Sequence, residues 1–118
     1  PLPLLVDYAA LIATHEIWVA RSAGGELRGG LVLEARPEDL LLYSISVLPG
    51  AQAQGLGKAL LAATEGRARQ LGRDVVRLYT GTALTHLVAW YERHGYVVEG
   101  QEQLPDRSIT HMVKRLDA

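Results

Sequence analysis

The segment LLLYSISVLPG, residues 40–50, constrains the fold of this 118-residue chain more than any other stretch. Eight nearly continuous apolar and β-branched residues, Leu40 to Val47, fit a central strand buried on both faces, and Pro49 stops it. The chain then runs through AQAQGLGKALL, where Gly55 and Gly57 stand one residue apart. From Gly55 to Leu71 the apolar positions Leu56, Ala59, Leu60, Ala63 and Leu71 form one stripe of helical period, and Gly72 supplies the stop. A buried strand that turns through glycines into an amphipathic helix is the framework to which the other elements must attach.

Those elements follow from periodicity and from the punctuation by Gly and Pro. Leu4 to Ala13 carries Leu5, Ala9 and Ile12 at helical spacing and is expected to be a helix. Glu16 to Arg21 and LRGGLVLEA (27–35) read as strands of a hairpin joined by the turn SAGGE. DVVRLYT is a further strand; Thr82 or Thr85 is placed to cap a helix running to His94, with Gly95 in the left-handed position beyond it. YVVEGQEQL and SITHMVKRL, parted by the turn PDR, complete the order α, β, β, β, α, β, α, β, β. That order predicts an α/β fold of the α+β type, a mixed and largely antiparallel sheet flanked by helices, built as one domain over residues 1–118.

Charge and composition remove whole classes of function. Lys and Arg number 12 against 13 Asp and Glu, so no global field recruits nucleic acid or an anionic membrane, and an anion must be held locally. The absence of cysteine removes disulfides, thiolate nucleophiles and Cys-based zinc sites, and fits a reducing compartment. No apolar run is long enough to span a bilayer and no signal sequence is evident, so the expected location is cytoplasmic. The start PLPLLVDYAALIA lacks an initiator methionine, which reads as processing or as a fragment of a longer chain.

Two glycines between a buried strand and a helix have a physical use. A helix N-terminus leaves backbone N–H groups unpaired and carries partial positive charge, and glycine lets an anion such as phosphate approach them closely. The alternative is a tight connection in which Gly55 and Gly57 only relieve crowding. Lys58 in the first turn is slightly unfavourable unless an anion binds there. A Walker A loop is excluded, because Leu56 stands where its lysine must be when counting from Gly50. The dinucleotide fingerprint fails as well, since its third glycine would fall on Leu60.

The stretch resembles the acetyl-CoA-binding motif of the GNAT superfamily of N-acetyltransferases: a strand ending in V-x-P (Val47, Pro49), then Q/R-x-x-G-x-G/A at Gln52, Gly55 and Gly57. WYERHGY, Trp90 to Tyr96, resembles the second segment of that family that lies near coenzyme A. Two positions depart from the common pattern, Ala53 for a glycine and Leu84 for an asparagine. The resemblance implies a GNAT-like fold, here lacking the usual first strand and helix, which in relatives build part of the acceptor site. It also implies acyl transfer from acetyl-CoA to a primary amine of a small molecule or peptide; with no cysteine, serines only at positions 22, 44, 46 and 108 and scattered histidines, direct transfer within a ternary complex and no metal are expected. Backbone N–H groups of Gln52, Ala53, Gln54, Gly55, Leu56, Gly57 and Lys58 would hold the pyrophosphate, and Ile45, Ser46 and Val47 would pair with the pantetheine arm. Homodimers are common in the family.

Tyr91 matches the family tyrosine placed near the sulfur, where a protonated phenol can donate to the departing thiolate; as a bare sequence feature it is equally a packing residue. The strand before V-x-P holds no carboxylate, which leaves Glu34, Tyr43, His111 or a water chain as the base, and Glu34 is the choice among them. Arg67, Arg69, Arg73 and Arg77 read as a solvated basic edge, one of them a candidate for the 3′-phosphate of coenzyme A. His15, His86, His94 and His111 are scattered and read as structural or surface residues. A non-catalytic acyl-CoA sensor or interaction module of the same fold is the competing reading.

Overall fold

In the computed structural model, which describes residues 5–12, 15–50 and 55–116, the apolar run forms β4 (Leu40–Val47) at the middle of a seven-stranded sheet. The other elements are β1 (Leu5–Ile12), β2 (His15–Arg21), β3 (Leu27–Ala35), α1 (Leu56–Gln70), β5 (Val75–Gly81), α2 (Thr85–Arg93), β6 (Val97–Gln103) and β7 (Ser108–Arg115). The sheet order is β1-β2-β3-β4-β5-β7-β6, and every neighbouring pair is antiparallel except β4 with β5. The mixed, largely antiparallel sheet with helices is the one expected. No helix among the described residues is long and apolar enough to cross a membrane.

α1 lies across β3, β4 and β5 and buries its stripe on them. Leu56 and Leu60 of the helix, Leu31, Leu33, Leu40 and Leu42 of β3 and β4, Val76 and Leu78 of β5 and Met112 of β7 form the core, each at most 3% exposed. Side chains that alternate along β3 send Leu31 and Leu33 toward α1 and leave Val32 and Glu34 on the other face. Gly29 is needed where this layer is tightest, because a side-chain carbon there would collide with the Ser46 backbone carbonyl on β4. The helix ends as read, with Gly72 in the left-handed region at φ 73°.

Four expectations change. Residues 5–12 form a strand and not a helix, paired with β2 from Leu5↔Arg21 to Ile12↔His15 with a register shift between Tyr8 and Ala10. Its apolar residues fit either period, and pairing along the β2 edge decides between them. β4 is buried on both faces only at Leu40 to Leu42; from Tyr43 onward it opens to solvent or half-burial. Neither Thr82 nor Thr85 caps α2: Leu84 holds the N-cap position without a side-chain bond, while the Thr82 hydroxyl hydrogen-bonds with those of Ser108 (3.0 Å) and Thr110 (2.9 Å).

The fourth change concerns the arginines. Arg67 pairs with buried Glu16 through two hydrogen bonds of 2.9 and 2.8 Å, and Arg73 donates to the Arg36 and Leu71 carbonyls. Arg77 bridges Asp39 and Glu99, leaving only Arg69 as the exposed residue expected. Asp39, 4% exposed, takes a bidentate bond from Arg36 (2.6 and 2.7 Å) and another from Arg77 (2.8 Å), which ties the β3–β4 turn to β5. These hydrogen bonds, Arg36 first, hold the Asp39 carboxyl below its usual range despite burial. A carboxylate so depressed stabilises the fold above its unfolded pKa of about 3.9, and that contribution is lost as pH falls through the folded value. Asp39→Ala is expected to cost about 3 kcal/mol at neutral pH in urea titration. Its stability should fall less steeply than that of the parent chain below about pH 4, and parallel curves would show that Asp39 is not the linked group.

Candidate functional site

The parallel pair β4–β5 is joined at Leu40↔Val76, Leu41↔Arg77 and Leu42↔Leu78, and the strands then part. The parting starts where β4 is bulged. Val32 of β3 faces Ser44 while Leu33 faces Leu42, so Tyr43 is an extra residue that bends the strand. A wedge of about 180 Å³ opens between β4 and β5, lined by Tyr43, Ser44, Ile45, Tyr79, Thr80, Leu87 and Tyr91 among others. It shares Ile45, Leu87 and Tyr91 with a groove of about 490 Å³, whose other walls are Val47, Gly55, Gly57, Lys58, His86, Trp90 and Arg93.

Each wall has a local cause. Gly55 is the N-cap of α1 at φ 75°, a left-handed conformation that costs glycine nothing, and the first turn it opens contains no acidic residue. Gly57 answers a different need. A β-carbon there would lie 3.3 Å from the Trp90 ring, so its bareness lets α2 close on α1. Leu56 is fully buried, so it offers the groove at most its backbone, and Ser46 lies between the groove-lining Ile45 and Val47 without lining the groove itself. Gln52, Ala53 and Gln54 lie outside the described residues.

α2 presents two adjoining stripes. Leu87 and Tyr91, four apart, face the wedge; His86, Trp90 and Arg93, at i, i+4 and i+7, line the groove beside the start of α1. Tyr91 is 6% exposed, its hydroxyl has no hydrogen-bond partner among the described residues, and burial pushes its phenol above the usual range. It therefore stays protonated at neutral pH. The end of α2 is pinned from behind: the Tyr96 hydroxyl donates to Glu65 of α1 (3.0 Å), and Lys114 Nζ donates to both Glu65 oxygens and to the His94 carbonyl (2.9 Å).

The base candidates stand apart from this groove. Glu34 lies on the sheet face away from α1, 3.8 Å from His15, and lines neither groove nor wedge. A row of rings runs beside it, His15 to Tyr43 (5.1 Å), Tyr43 to Tyr79 (6.3 Å) and Tyr79 to His111 (6.0 Å). Glu34 is close enough to Tyr79, a wedge residue, for its charge to help hold that phenol protonated, after burial as the main cause. His111 bonds Glu102 (3.0 Å). Among the described residues no three His, Asp or Glu come together to hold a metal. Sequence reasoning missed His86 and Leu87 as groove residues and marked Trp90 and Arg93 only as part of the segment WYERHGY; shared helical spacing is the signal that links the four.

The groove suits an anionic ligand with an extended polar arm, because it joins the end of β4 to a helix N-terminus and three basic side chains. The family model for an acetyltransferase (GNAT) domain matches residues 13–98. An uncharacterized N-acetyltransferase of Bacillus subtilis strain 168, YvbK, is 32% identical over 78 residues, 65% of this chain and 50% of that protein. The chain thus spans about half the length of that curated relative. A GNAT family acetyltransferase from Elizabethkingia anophelis with acetyl-CoA bound shares the fold at a TM-score of 0.81 and 15% identity, over 96% of this chain and 98% of that one. A Bacillus subtilis acetyltransferase in complex with CoA gives 0.82 and 20%, over 98% and 100%.

The two glycine environments predict opposite effects within one helix. Gly57→Val should force Trp90 away and cost about 1–3 kcal/mol. Gly66→Ala, with no atom within 4 Å of the added carbon, should gain up to about 1 kcal/mol from helix propensity. Thermal melting of the two variants checks this; equal shifts would mean that Trp90 does not pack on Gly57.

Proposed function

Because the chain belongs to the GNAT acetyltransferase family, we propose that it transfers an acetyl group from acetyl-CoA to a primary amine of a small molecule or peptide, directly in a ternary complex. The observation that carries this reading is the position of Tyr91, the buried and protonated phenol that lines both the groove and the wedge.

The α1 N-terminus and Lys58 hold the pyrophosphate, and the backbone of Ile45, Ser46 and Val47, which lies beyond the last β4–β5 pair at Leu42↔Leu78, offers hydrogen bonds to the amides of the pantetheine arm. The same backbone can donate to the thioester oxygen as negative charge develops there. The amine nitrogen attacks the carbonyl carbon, the C–S bond breaks, and Tyr91 gives its proton to the sulfur. Glu34 takes the amine proton through water along the Tyr43–Tyr79 side of the wedge. The acceptor enters from that face.

Acetyl-CoA at 100 times its dissociation constant should stabilise the fold by about 2.7 kcal/mol in thermal melting. Tyr91→Phe should lower kcat by about a hundredfold with little change in cofactor affinity. Since its phenol is raised above about 10, kcat should show no alkaline fall from this group below about pH 10. Glu34→Gln should lower kcat with the cofactor-induced shift intact. No shift with acetyl-CoA would contradict the proposal, and a shift without turnover against a panel of amines would favour a sensor.

A further inference from the structure

The sheet face away from α1 carries a line of side chains that runs across the strands. His15 of β2, Glu34 of β3, Tyr43 of β4, Tyr79 of β5, His111 of β7 and Glu102 of β6 follow one another in the order of the sheet, one from each strand. Strand register sets much of it, because His15 pairs with Glu34 and Tyr79 with His111. Tyr43 joins the two halves, its ring nearly perpendicular to those of His15 (85°) and Tyr79 (82°). At the far end Glu102 meets His111 at 3.0 Å.

Ring surface with a carboxylate toward each end attracts an organic cation. Among the described residues Glu34 is met by His15 at a loose 3.8 Å, and Glu102, half exposed, bonds His111 through one of its two oxygens. Tyr43 is 49% exposed, and the protein cations that lie over rings among the described residues, Arg67 over Trp18 and Lys114 over Tyr96, are elsewhere. Two arginines stand near the line. Arg77, two residues before Tyr79, is taken by Asp39 and Glu99, and Arg107, in the turn before β7, lies 4.0 Å from Asp106 and acts on the Tyr79 phenol less than burial does.

The line also meets the wedge. Tyr43 and Tyr79 line that cavity together with Tyr91, which is 6% exposed and whose hydroxyl has no hydrogen-bond partner among the described residues. A ligand nitrogen between Tyr43 and Tyr79 is therefore beside the phenol, with Glu34 on one side and the path to Glu102 on the other. From β5 across β7 to β6 is two strand spacings, about 10 Å.

We propose that this line is an acceptor subsite for an elongated dication, one nitrogen at Tyr43 and Tyr79 and a second ammonium at Glu102, so that the chain prefers α,ω-diamines to monoamines of the same length. This rests on the acyl-transfer reading of the wedge and names the acceptor class for it. The nitrogen at the wedge loses its proton and gains the acyl group, as above, while the distant ammonium keeps its proton and stays paired with the carboxylate.

Steady-state kinetics of the full chain with acetyl-CoA and either diaminooctane or octylamine test it. Diaminooctane should have the higher kcat/KM by about fivefold beyond the factor of two that two equivalent amines supply, the size of an exposed ion pair together with a ring contact. The advantage should shrink with added salt, and diaminoethane, too short to reach Glu102, should lack it. Glu102→Gln should remove it through KM, Glu102→Asp should keep part of it, and Glu26→Gln, an exposed change of the same charge at the other end of β3, should leave it as in the parent chain. A parent ratio of about two, or an unchanged ratio in Glu102→Gln, would overturn the subsite, as would turnover of other amines with neither of these; all three leave acyl transfer standing. No turnover with any amine would overturn both.

Discussion

The early end of the β4–β5 ladder is the constraint on which the site depends. Three residue pairs join the strands, and the bulge at Tyr43 then turns β4 away, so the ladder with β5 ends at Leu42↔Leu78. Beyond that ladder β4 borders a groove where a ligand can meet its backbone. Tyr91 stands in the gap between the strands. One backbone irregularity thus opens the wedge and brings the groove and the Tyr91 phenol together at it.

The rest of the molecule keeps the gap from closing. The Leu31, Leu33, Leu42, Leu56, Leu60 and Leu78 layer fixes α1 on the closed part of the sheet, and Gly29 lets β3 follow β4 past the bulge. At the other wall, Glu65, Lys114 and Tyr96 tie α1, β7 and the end of α2 into one partly buried polar cluster, with Gly95 at φ 95° making the turn between them. These contacts hold Tyr91 and Trp90 at a fixed distance from β4 without using either side chain's polar atoms. In the proposed mechanism, pre-organisation of this kind leaves a donor ready in place before the substrate arrives.

Much of this was legible in the sequence because local signals agreed with tertiary structure. The run from Leu40 to Val47, the stop at Pro49, the helix opened by Gly55 and the left-handed Gly72 and Gly95 all have causes within a few residues. Other features depended on distant partners. Residues 5–12 took the period that β2 imposed, and the arginine side chains were claimed by Glu16, Asp39 and Glu99, carboxylates remote in sequence. Gly57 illustrates the difference well: from spacing it was a phosphate-loop glycine, but its neighbour in space is Trp90, 33 positions along the chain. The segment from Trp90 onward was marked in advance, but nothing in THLVAWYER says which stripe of α2 meets α1.

Hydrogen exchange of β4 with and without acetyl-CoA tests most directly whether the parted strands seat the thioester arm. Amides of residues 43–47 should gain protection on binding, while those of residues 40–42, already laddered to β5, should not change. Binding that left residues 43–47 exchanging as fast as before would contradict a strand-like seat in the gap and place the ligand elsewhere on the molecule.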